Sequence, residues 1–180
     1  MLNVLDRQPF IKVALRYGLL GSAVGSAAIF VLYQIGRHPF LLPIIVDFRI
    51  LLFTGLMIFC LREIRDYLQE GILYFWQSVM ACYIVVITAS TITSLFVWGL
   101  ATWHRDFLGE YIRVVTDQLT KNKQMVVEHV GKQAYEQQMG ALPGTSALDL
   151  AADYFLKSLF ISLFLTIVLS IIFRRTPKTN

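Results

Sequence analysis

Charge is scarce in this sequence. Lys, Arg, Asp and Glu make up 16% of its 180 residues, where a soluble domain carries about a quarter. The three histidines, His38, His104 and His129, stand far apart, with no HExxH and no carboxylate at metal spacing. That leaves no pattern for a zinc site, and each reads as a loop, interface or surface residue. The two cysteines, Cys60 and Cys82, both fall inside apolar runs, so reduced, packed thiols are expected rather than a disulfide or a catalytic pair. G-x-S-x-G, the Walker loop and the Rossmann glycines are all missing. So is any basic patch with interleaved aromatics. These absences predict a protein that is not an enzyme, holds no cofactor or metal and binds no nucleic acid.

What is present is apolar and comes in blocks. Hydrophobic residues make up 56% of the chain, gathered into runs of about 20, the length that crosses a hydrocarbon layer at about 1.5 Å per residue. Four runs qualify, at 14–36, 42–61, 76–103 and 154–173. The fold class expected is all-α, an integral membrane four-helix bundle, with residues 104–153 as an extracytoplasmic amphipathic helical insert between spans 3 and 4. The first run, "ALRYGLLGSAVGSAAIFVLYQIG", follows Arg7, Lys12 and Arg16. It is longer than a signal-peptide h-region and three spans follow it, which favours a retained anchor.

The net charge of +4 sits at the span ends and reads as topology. With the N-terminus inside, Arg7, Lys12, Arg16, Arg62, Arg65, Arg174, Arg175 and Lys178 flank the membrane on the cytoplasmic side. The first outer loop has Arg37 and Arg49, and the long insert balances its five basic residues with seven acids. Both termini are therefore expected in the cytoplasm.

Between spans 2 and 3 lies "CLREIRDYLQEG", residues 60–71. Its charges suit an interfacial elbow, with Tyr67, Tyr74, Phe75 and Trp76 as an aromatic belt. Docking of a cytoplasmic partner is the alternative. Arg62 and Asp66, four apart, would form a surface pair of about 0.3–0.5 kcal/mol on a helix. This elbow with its continuation, "REIRDYLQEGILYFWQSVMACYIVV", preceded by "KVALRYGLLGSAVG" in the first span, resembles the bacterial membrane family called domain of unknown function 4199, found mostly in Bacteroidota. The likeness runs from about Lys12 to Arg175, with Gly71 and Gln77 the near matches after the elbow. It implies a multi-pass protein of a Gram-negative inner membrane and carries over no activity and no catalytic residue.

Three groups of residues stand out inside the spans. Gly21 and Gly25 form a GxxxG, flanked by Gly18, Ser22 and Ser26. The result is a nearly bare helix face, available to a helix of the same bundle or to a second copy. "TASTITS", residues 88–94, places hydroxyls including Thr88 and Thr91 near mid-membrane. Such hydroxyls bond back to their own helix or across to a neighbour, or line a path. A transport path would call for an ionisable residue at that depth, and this span has none. Asp47 and Arg49, in "LLPIIVDFRILLF", are the candidates for buried charge. Pro43 suits a first turn and Arg49 can snorkel, so a structural pair competes with an ion or proton site.

In the insert, Phe107, Tyr111, Val114, Val115, Leu119, Val126 and Val130 recur at three- and four-residue steps, an amphipathic pattern. Asn122 and Gly131 are candidate breaks, "GALPGTS" a stop, and Ser146 with Asp149 a capping box for the last helix. The stripe of Tyr111, Val115, Leu119, Val126 and Val130 could cover the bundle, lie on the membrane surface or grip a partner.

Three functions follow in order of preference. The first is a non-enzymatic scaffold or accessory subunit of an envelope complex, whose partners are the lipid bilayer and a homo-oligomer or envelope protein. The second is a small transporter or channel built on the Ser/Thr-rich third span and Asp47/Arg49, though no internal repeat supports it. The third, a lipid-acting enzyme, would have only His104, Asp106 and Glu110.

Overall fold

The computed structural model describes residues 4–35, 40 and 47–176, and the side chains of that set from Pro9 onward apart from Arg105. The expectations placed on Arg37, His38, Pro43, Lys178 and a second span starting at 42 lie outside the described residues, as does the Arg7 side chain. Seven α-helices and no strand are found among the described residues: α1 (Val4–Gln34), α2 (Phe48–Glu63), α3 (Phe75–Trp103), α4 (Arg105–Lys121), α5 (Lys123–Val130), α6 (Lys132–Ala141) and α7 (Ala147–Phe173).

Three of these are long and apolar enough to cross a membrane: α1 from Pro9 to Gln34, α3 and α7. Four spans were expected from the sequence. Helix α2, at 16 residues, is about 24 Å long before it winds on into Ile64–Leu68, and the start of the expected second span lies outside the described residues. Asp47 takes the N-cap position of α2 and its carboxylate accepts the Arg49 N–H at 3.0 Å.

Helix α3 is the central strut. Helices α1 and α7 each pack along its length, and α2 leans on all three. The resulting surface is the reverse of a soluble protein's. Leu19, Leu20, Val24 and Val31 of α1 and Phe160, Phe164, Val168 and Ile171 of α7 point outward, while Ala14, Ala81, Ala89, Ser90, Thr93, Ser158 and Ser162 are buried. Exposed apolar area on this scale marks contact with a non-aqueous environment. Trp76 and Trp103, 73% and 87% exposed, bracket α3 across about 40 Å of helix, close to the thickness of a bilayer with its headgroups.

The charged elbow after α2 widens into a π-turn, Ile64–Leu68. Glu70 (φ 48°) and Gly71 (φ 86°) then reverse the chain, a backbone state that favours glycine. Leu73 and Arg175 exchange backbone hydrogen bonds of 2.9 Å each way, which ties the elbow to the end of α7. The expected Arg62–Asp66 pair is not formed. Asp66 instead accepts from Arg65 Nε at 2.7 Å and Nη2 at 3.1 Å, because π winding takes residues four apart out of alignment.

The insert breaks at Asn122 and at Gly131, whose φ is 87°. Helix α6 then folds back on α5, burying Tyr135 with Lys123 Nζ 5.7 Å from its ring centre. Helix α7 opens on a reciprocal capping box: Asp149 N–H donates to Ser146 Oγ at 3.2 Å and Ser146 N–H to Asp149 Oδ2 at 2.8 Å.

Candidate functional site: packed seams and a charged end

The small-residue face of α1 is used inside the chain, against α3 and α2. A Cβ added to Gly18 would lie 2.6 Å from Thr88 Cβ and 3.1 Å from the Val85 carbonyl oxygen. At Gly21 it would meet Leu56 Cδ1 at 2.6 Å and Ala89 Cβ at 3.2 Å, and at Gly25 Thr93 Oγ1 at 3.3 Å. Ser22 is buried and donates to the Leu19 carbonyl at 2.7 Å, and Ser26 is half-buried. Missing side chains thus let two backbones approach, and dispersion between them supplies the association.

The α3 hydroxyls divide by face. Thr88 packs against Gly18, as above. Ser90 donates to the Val86 carbonyl at 2.6 Å, one turn back. Ser94 reaches across to α7 and donates to the Ala151 carbonyl at 2.8 Å. Thr91 is exposed, on a shallow groove with Leu148 and Phe155. The structure therefore does not bring Thr88 and Thr91 together. It reveals instead a seam that sequence reasoning missed. On α7, Ser158, Ser162, Thr166 and Ser170 are fully buried at four-residue spacing, in line with Tyr154. The signal was present in "YFLKSLFISLFLTIVLS", since one residue in four marks one face of a helix. Ser158 and Ser162 bond to their own helix, at Tyr154 and Leu159. Thr166 Oγ1 and Ser170 Oγ have no partner among the described residues.

Asp47 and Arg49 do come together, although two positions apart on a helix they would face apart. Asp47 stands outside the helix as its cap, so its carboxylate can turn toward the first-turn side chain. Arg49 Nε donates to Asp47 Oδ1 and Oδ2 at 2.8 and 2.9 Å, and Nη2 donates to Oδ2 as well. Both side chains are about nine-tenths buried, and the guanidinium carbon lies 5.2 Å from the centre of the Tyr154 ring. Arg49 Nη1 is buried with no acceptor among the described residues. Beside this pair, an apolar groove of about 710 Å³ separates α2 from α7, lined by Ile50, Leu156, Phe160, Ile161, Phe164 and Leu165, with Asp47, Arg49 and Lys157 at one end.

The insert meets the bundle through aromatics. Phe107 is fully buried, with ring centres of Tyr33 and Phe40 at 5.1 and 6.3 Å, and Phe40 in turn stands edge-on to Tyr111 and Tyr154. Burial pushes the Tyr111 hydroxyl upward, and the charge of Asp153 adds to that. Farther along the stripe, Val115, Leu119 and Val126 are half-buried and Val130 is exposed; Met125, which the expected stripe did not include, is exposed beside them. The expected stripe is thus covered at its start and open at its far end.

Among the described residues, no three His, Cys, Asp or Glu gather as a metal cluster. His104 lies 6.2 Å from Tyr33, ring centre to ring centre, and His129 Nδ1 contacts the Met125 carbonyl at 2.8 Å. Cys60 and Cys82 are free and buried. No curated protein and no solved structure matches the chain. The profile of the family described as "Protein of unknown function (DUF4199)" matches residues 16–175, from Arg16 within α1 to Arg175, whose backbone pairs with Leu73. The chain therefore belongs to the DUF4199 family.

Proposed function

We propose that the protein is a four-pass protein of a bacterial inner membrane, with both termini cytoplasmic, and that it works as a non-catalytic accessory or scaffold subunit of an envelope complex. Its fourth crossing would be α2, whose packing on α1, α3 and α7 supports this placement. The observation that carries the subunit reading is the open end of the insert. Met125 and Val130, 62% and 56% exposed, present apolar surface on a part of the molecule that the bundle does not cover, and such surface is suited to a partner.

The transporter reading draws less support. The hydroxyls of α3 are engaged in helix contacts or face outward, and no Asp, Glu, Lys or Arg lies within α3.

The test is photo-crosslinking in living cells from a reactive side chain placed at Met125 or Val130, with exposed Lys121 as the comparison site. A discrete protein adduct from 125 and 130, lost when the other position carries Glu, is the expected result. Equal, diffuse labelling from all three sites would refute the subunit reading.

A further inference from the structure

The end of the bundle that carries the elbow holds more positive charge than its acids can answer. We propose that this end binds anionic glycerophospholipids of the leaflet it faces, their phosphodiesters meeting Arg62, Arg174 and Arg175 and their acyl chains the apolar surface of α2 and α7 just inside. The inference rests on the bilayer placement proposed above and is independent of the subunit reading.

Lys12, Arg16, Arg62, Arg65, Arg174 and Arg175 share this end with Glu63, Asp66 and Glu70, an excess of three positive charges. The insert at the other end is the reverse, with five basic residues against seven acids. Two of the elbow's acids are already committed. Glu63 pairs with Arg16 and accepts from the Tyr17 hydroxyl at 2.9 Å, and Asp66 is held by Arg65.

Arg62, Arg174 and Arg175 are exposed and form no ion pair among the described residues. They are nevertheless gathered in one place. The backbone pair of Leu73 with Arg175 brings the end of α7 to the elbow, and Asp66 feels the charges of both Arg62 and Arg175. Like charges held together repel, and an anion among them offsets that cost. A phosphodiester suits guanidinium groups, which offer it directed, charge-assisted donors.

An apolar tier just inside the cations favours a lipid over a soluble acidic protein. Arg62 stands three residues beyond exposed Phe59 on α2, and Arg174 three beyond exposed Ile171 at the end of α7. On α1, exposed Lys12 lies three residues outside exposed Leu15. Residues three apart share a helix face, so each cation stands directly outside an apolar side chain, with a stem long enough to reach the headgroups. That pairing fits a molecule charged at one end and hydrocarbon at the other. An acidic protein surface would leave the apolar tier unused.

Tryptophan quenching by brominated lipid, with the full-length protein reconstituted in phosphatidylcholine vesicles, tests this. The reporter is Ile171→Trp, with Trp76, Trp98 and Trp103 replaced by Phe. Trp103 alone, with Trp76 and Trp98 replaced, reports on the opposite end. Brominated phosphatidylglycerol and brominated phosphatidylcholine are compared as quenchers, and polyglutamate is the probe for an acidic protein. Arg62→Gln, Arg174→Gln and Arg175→Gln, combined, remove the charges.

At 171 phosphatidylglycerol is expected to be preferred by about threefold or more, with no such preference at 103. The triple variant should lose the preference, as should the parent in about 0.5 M salt. Should the triple variant fail to fold, the salt dependence decides. Equal quenching by the two lipids at 171, or a preference that survives both the variant and salt, overturns the site. Arginine-dependent binding of polyglutamate without a lipid preference also overturns it and assigns this end to an acidic protein. No quenching at 171 by either lipid would refute the bilayer placement, and the site with it, whereas equal quenching would leave the protein in the membrane.

Discussion

The two ends of the molecule are held together by different physics. Where α1, α3 and α7 meet, many buried residues are small or carry hydroxyls: Gly18, Gly21, Ala89, Ser90, Ser158, Ser162 and Thr166, beside Val85, Val86 and the α2 side chains Phe53, Met57 and Leu61, while Leu19, Phe160 and Phe164 turn outward. Where the insert meets the bundle the order reverses, and Phe107, Tyr154, Leu150 and Ile29 are buried together. In lipid, apolar burial gives no preference for one helix over the surrounding chains, so the seams depend on close backbone approach and hydroxyl contacts. On the proposed placement the insert's end faces water, where the hydrophobic effect operates as in a soluble protein. Added bulk should therefore damage the seams, and lost bulk should damage the cap.

Loss of bulk at the cap gives the largest effect expected. Phe107→Ala should cost about 3–5 kcal/mol, seen as faster hydrogen exchange across α4 with α1 and α3 still protected. Gly18→Val comes next, at about 1–3 kcal/mol from overpacking against Thr88, measured as a lower melting temperature in detergent. Gly99→Ala, with nothing within 4 Å of the added Cβ, should stay within about 0.5 kcal/mol of the parent. Equal losses at Gly18 and Gly99 would show that close backbone approach is not what holds the seam at Gly18. Ser94→Ala removes one interhelical hydrogen bond and should cost about 0.6 kcal/mol, near the limit of a thermal melt.

The smallest effect concerns the elbow. Hydrogen bonding from Arg65 holds the Asp66 carboxyl below the usual carboxylate range, with the charges of Arg65, Arg175 and Arg62 adding to this. A lowered folded value means that this stabilisation is complete above the unfolded carboxylate's value, about 3.9. It is lost as the pH falls below that and through the folded value. Exchange of the amides of residues 64–72, corrected for intrinsic rates, should therefore quicken in that acid window, and Asp66→Asn should remove the pH dependence.

Much of this architecture could be read from local pattern. The apolar runs at 76–103 and 154–173, the breaks at Asn122 and Gly131 and the Ser146 cap all depend on neighbours within a few residues. What escaped depends on geometry between elements or on a local winding that pattern does not reveal. The apolar run from 42 gave no sign that Asp47 would cap α2, since a cap forms through backbone geometry that a continuous hydrophobic stretch does not reveal. The π-turn redirected Asp66 from Arg62 to Arg65. The contact of Arg49 with Tyr154 joins residues a hundred positions apart, which no spacing rule reaches. The seam on α7 differs from these. Its four-residue hydroxyl rhythm was legible and was outweighed by the more conspicuous cluster in α3.

The most direct test of the central claim, a bilayer-embedded bundle with small residues inside and large apolar ones facing lipid, is spin-label accessibility in reconstituted vesicles. Single labels at Leu19, Phe164 and Val130, with Cys60 and Cys82 replaced by Ala, report collisions with oxygen and with a water-soluble nickel chelate. The expected result is a preference for oxygen at 19 and 164 and for the chelate at 130. Chelate-dominated collisions at 19 and 164 would place those faces in water and contradict the bilayer assignment.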